Sequence, residues 1–122
     1  MVIDLPKNID SFQLSYFEIH GEKNIMSFDL VDPISPDGYF KFVMKNLLFC
    51  EYSKDMYEND NCYQLGHFKL CNMDDIGLLE SEINIRSIFS LEKIREFYYL
   101  DVEGDICLKA IAQECHLIHH ST

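Results

Sequence analysis

The chain has 122 residues, 48% of them hydrophobic and 13% aromatic, which supports one apolar core, leaves too little for two, and excludes a disordered chain. Twenty-one acidic side chains face ten basic ones for a formal net charge of -11, and the excess is shared by both halves: eleven acids and five bases in 1–61, ten and five in 62–122. That balance, with no local basic patch, disfavours direct binding to nucleic acid or to an anionic membrane and favours a cationic partner.

The opening MVIDLPKNIDSF carries Asp4 and Asp10 and lacks the positive leader and long apolar run of a signal peptide. No stretch approaches roughly eighteen apolar residues, so no membrane span is expected. Residues 12–19, FQLSYFEI, alternate with Phe12, Leu14 and Tyr16 on one face, then shift phase to Phe17 and Ile19, the sign of a strand with a bulge or an edge. HGEKN supplies a turn, and IMSFDLV places Met26, Phe28 and Leu30 together before DPISPDG breaks the run, which predicts an opening hairpin or meander.

Residues 39–52 form the strongest strand candidate, with Phe40, Phe42, Met44, Leu48 and Cys50 on one parity and Tyr39, Val43, Leu47 and Phe49 on the other. The first half reads as half-exposed and the second, apolar on both faces, as entering the core. The polar SKDMYENDN predicts an exposed acidic loop at 53–61, and CYQLGHFKLC another strand with a bulge or close approach at Gly66. A strand at 82–87 and a short helix at 90–96 capped by Ser90 follow. FYYLDVE and ICLKAIAQECHLI then form a hairpin turning near Glu103 and Gly104, its last strand apolar on both faces: Ile106, Leu108, Ala110 and Ala112 against Cys107, Ile111, Cys115 and Leu117.

The pattern therefore predicts a single mainly β domain over 1–122, all-β or α+β. Six to seven mostly antiparallel strands would form a sandwich or curved sheet with one or two short helices. The ends, 1–10 and 119–122, are expected to be loosely ordered.

Chemical sites find little support. Zinc needs three or four ligands converging at about 2.0–2.3 Å. In CHLIHH, Cys115 and His116 would face opposite sides of a strand, and His119 and His120 read as a terminal tail, even with His67 or Cys71 added. A nucleophilic cysteine needs a base in hydrogen-bond reach, and His67 and Cys71 on one strand face would stand roughly 13 Å apart. Asp101, Glu103 and Asp105 around the hairpin turn read as solvated surface. The glycines are scattered with no phosphate-cradling motif. No enzyme, cofactor or metal is expected. The five cysteines, Cys50, Cys62, Cys71, Cys107 and Cys115, are odd in number, form no CxxC, and read as free thiols of a cytoplasmic protein.

The recognition feature is acidic and aromatic together. Tyr57 stands among Asp55, Glu58 and Asp60, and Asp74 and Asp75 extend the acidic set, so these six residues are expected to bind a protein partner.

The segment FYYLDVEGDICLKAIAQECHLI, following GLLESEINIRSIFS, resembles the closing strands of small β-rich bacterial toxin-immunity proteins. The resemblance covers about the final third and is one of pattern. It implies a cytoplasmic protein that neutralises a cognate toxin by direct one-to-one binding, an acidic surface occupying a cationic groove. The competing expectation is a structural or assembly component acting through self-association, such as a homodimer. A small-ligand binding domain stands third.

Overall fold

A computed structural model of the chain describes residues 4–34, 38–54, 62–72 and 97–121. A 3-10 turn, Ile9–Ser11, precedes six strands: β1 (Gln13–His20), β2 (Ile25–Val31), β3 (Gly38–Lys54), β4 (Cys62–Asn72), β5 (Tyr98–Gly104) and β6 (Ile106–Ser121). All pairings are antiparallel, and in the order β1-β2-β3-β6-β5-β4 the sheet closes on itself. The mainly β class holds, with the two apolar layers realised as opposite walls of one barrel. The predicted strand at 82–87 and helix at 90–96 lie outside the described residues.

Alternation fills the interior. Leu14, Met26, Phe28, Leu30, Phe42, Met44, Leu100, Val102, Ile106 and Leu108 join one buried cluster. Each such burial contributes about 1.5–3 kcal/mol. Phe28 stacks on Phe42 with centroids 4.8 Å apart, and Phe68 meets both rings edge-on at 6.3 and 5.8 Å. Offset and edge-to-face rings let three large aromatics fill a narrow barrel without repulsion between their faces.

Closure rests on a short seam, in which β1 and β4 pair only at Gln13↔Gln64, Leu14↔Tyr63 and Ser15↔Cys62. The 3-10 turn extends it: Asp10 Oδ1 accepts the Phe68 N–H at 2.9 Å, Phe12 O accepts the Leu65 N–H at 3.2 Å, and Ile9 and Phe12 are buried. Asp32 joins this end by accepting from Asn8 Nδ2 at 3.1 Å and from the Ile34 N–H at 3.0 Å. Residues 8–12 are thus docked on β4 and on Asp32 just after β2.

At the other terminus β6 runs to Ser121. His119 packs on Phe40 at 4.7 Å and His120 stacks on Tyr39 at 5.0 Å, in strand paired with β3. Gly38 allows it, since φ is +139° and a Cβ there would stand 2.4 Å from the His120 carbonyl oxygen.

Local offsets change which residues face inward. The Gly66 bulge is present, with the β4–β5 register shifting between Leu65 and His67. In β3 the inward residues pass from Phe42 and Met44 to Leu47 and Cys50, and in β6 from Ala112 to Cys115, because Lys45 and Asn46 stand exposed opposite the exposed Gln113 and Glu114. The first half of β3 alternates as expected, with Phe42 and Met44 buried, whereas the second half, expected to be apolar on both faces and to enter the core, packs inward only through Leu47 and Cys50 and is exposed from Glu51 on. Cys115 and Leu117 likewise pack inward with Ala112, while Cys107 is exposed. Ile111 is fully buried outside the interior cluster, paired with the equally buried Tyr99, so this part of the wall is covered on both faces.

Candidate functional site

The β1 bulge sorts two consecutive aromatics. Register passes from Ser15↔Asp29 to Glu18↔Ser27, leaving Tyr16 and Phe17 opposite Phe28 alone. Phe17 packs against the core, and Tyr16 is 65% exposed. Tyr16 has φ +53°, the left-handed region, which costs a residue with a Cβ about 1–2 kcal/mol. This corrects the placement of Tyr16 on one face with Phe12 and Leu14.

A second exposed stretch lies on β3. Its β2 neighbour ends at Ile25↔Lys45, Asn46 turns the chain with φ +56°, and the Leu47 N–H donates to the Asn24 carbonyl at 3.0 Å. Beyond that point β3 pairs only with β6 among the described strands, with a register shift between Leu47 and Phe49 that ejects Leu48. Tyr52, 51% exposed, meets Phe17 with ring centroids 5.1 Å apart. This contact joins β1 to β3, and Tyr16 and Ile19 on β1 and Leu48 and Tyr52 on β3 are exposed large apolar side chains. Glu18 and Glu22 near β1 and Lys45, Glu51 and Lys54 on β3 are also exposed, and Glu18 Oε2 lies 3.2 Å from His20 Nε2.

The expected partner residues Asp55, Tyr57, Glu58, Asp60, Asp74 and Asp75 lie outside the described residues. The flanks of 55–61 are placed: Lys54 follows Tyr52 by two residues, and Cys62 pairs with Ser15 beside Tyr16. Ser53 and Lys54, expected in the loop, close β3 and are exposed.

The turn carboxylates separate by role. Asp105 Oδ2 accepts the Gln64 N–H at 3.1 Å, Glu103 is exposed, and Asp101 is buried on the wall, in register between Lys69 and Lys109 and 3.8 Å from His67 Nε2. Burial of Asp101 corrects its reading as solvated surface. Period-two alternation could have located it, since Asp101 shares its side with Tyr99.

Cys115 points into the core and His116 stands partly exposed 3.9 Å from Glu114, as strand alternation requires. Burial pushes the Cys115 thiol up to about 12 and raises that of Cys50, so both are neutral at physiological pH and poor nucleophiles. Among the described residues no three His, Cys, Asp or Glu side chains are grouped to hold a metal, and no helix is long and apolar enough to cross a membrane.

Tyr16 and Tyr52 are exposed aromatics that the sequence reading did not single out as candidate site residues. The phase change between Tyr16 and Phe17 carried the signal for the first; the parity change in β3 left no comparable mark. Comparison with protein-family models, curated proteins and solved structures finds no match to this chain.

Proposed function

We propose that the protein is an acidic protein-binding domain that neutralises a cationic bacterial toxin by one-to-one binding in the cytoplasm, with the β1 and β3 ends of the barrel in the contact surface. The observation that carries this reading is the position of Tyr16 and Tyr52 at the flanks of the acidic segment 55–61. Exposed aromatics supply apolar contact area at low entropic cost, and surrounding carboxylates steer a cationic partner. The terminal pattern resembling toxin-immunity proteins and the net charge of -11 point the same way.

The test is affinity capture from the protein's own cells, followed by calorimetric titration of the recovered partner against the wild type and a Tyr16→Ala/Tyr52→Ala variant. One stoichiometric cationic partner, weakened by salt and by the double substitution, is the expected result. An unaltered affinity in the variant would remove this surface from the contact.

Self-association is a second reading, favoured by the β3 edge from Asn46 to Lys54, which has no second strand neighbour among the described residues. Native mass spectrometry of the purified chain separates the two: a stable homodimer supports the edge, a monomer the heterologous partner.

A further inference from the structure

Three described non-glycine residues have left-handed backbone: Tyr16, Asn24 and Asn46. Two are asparagines, which tolerate this conformation because a short polar side chain can bond locally. Tyrosine has no such compensation, and Tyr16 cannot recover the cost by burial because it is 65% exposed.

Barrel closure accounts for the bulge, which turns Phe17 inward and tightens the twist, but not for the residue that occupies it. Glycine would make the same bend without strain. A strained, exposed aromatic is the kind of outlier that points to a binding role.

We infer that Tyr16 is a partner anchor whose ring receives an arginine side chain of the bound protein. The inference rests on the protein-binding reading and names its chemistry. The net charge of -11 selects a cationic partner, and Glu18, exposed two residues along the same strand with its Oε2 3.2 Å from His20 Nε2, is the neighbouring carboxylate in sequence. Arginine suits such a site better than lysine because its planar guanidinium stacks on an aromatic face while donating to a carboxylate. The barrel spends stability to hold that ring outward.

The experiment compares arginine and lysine homopeptides of equal length, titrated into the whole chain at low salt, with Tyr16→Gly and Tyr16→Phe variants alongside. The wild type is expected to prefer the arginine peptide by about two- to fivefold. Tyr16→Phe keeps the preference, whereas Tyr16→Gly loses it and melts at a higher temperature than the wild type. Equal binding of the two peptides to the wild type, or a preference that survives in Tyr16→Gly, overturns the arginine anchor while leaving a cationic partner in place. A lower melting temperature for Tyr16→Gly assigns Tyr16 to the fold and also overturns it. Failure of both peptides to bind removes the cationic-partner reading and the inference together.

Discussion

Phe17 and Tyr52 meet with ring centroids 5.1 Å apart and planes tilted by 59°, although β2 lies between their strands in the sheet order. The contact joins Phe17, turned inward at the β1 bulge, to the part of β3 that runs on past its last β2 pair, Ile25↔Lys45. Their different burial predicts different costs. Phe17→Ala should lower stability by about 2 kcal/mol, less than for a fully buried ring, and Tyr52→Ala by about 1 kcal/mol or less. Urea denaturation checks both, and equal losses would mean that the pair acts mainly in folding.

Asp10 holds the edge of β4 where pairing with β1 has stopped, through its bond to the Phe68 N–H. Asp10→Ala should cost about 1–3 kcal/mol, because the acceptor of a partly buried amide is removed. Amide exchange is the sharper measurement: Phe68 should exchange faster in the variant, while amides in the β5–β6 ladder keep their protection.

Cys115 and Cys107 lie on one strand, buried and exposed respectively. A thiol-alkylating reagent should label Cys107 in the folded protein and reach Cys115 only on unfolding. The Cys115 thiol also makes stability depend on alkaline pH, since burial raises it from 9.0 to about 12. The unfolded chain therefore ionises first. The contribution is intact below pH 9 and is lost progressively as pH rises through about 12. Unfolding measured across that window should show a steeper decline in the wild type than in Cys115→Val; parallel curves would count against a buried neutral thiol.

Replacing Asp55, Tyr57 and Asp60 together by alanine should weaken partner capture and leave the circular-dichroism spectrum and melting temperature nearly unchanged. Salt dependence of the remaining affinity should also become shallower, because two carboxylates are lost. Affinity and salt slope both equal to the wild type would place recognition elsewhere.

The sequence by itself determined the mainly β class and most of the described strands, because period-two alternation is a local consequence of backbone geometry. IMSFDLV has the apolar spacing that puts Met26, Phe28 and Leu30 in the core, Gly66 marks its bulge, and Glu103-Gly104-Asp105 contains the β5–β6 turn. Only the tertiary structure decided that the sheet closes between Ser15 and Cys62, that Leu48 is ejected while Cys115 turns inward, and that Asp101 is buried. Alternation assigns faces only until the first offset, and whether an offset occurs depends on the twist and register needed to bring distant strands together. The exposure of Tyr16 and of Leu48 arises at two such offsets, so it emerges only once the barrel has closed.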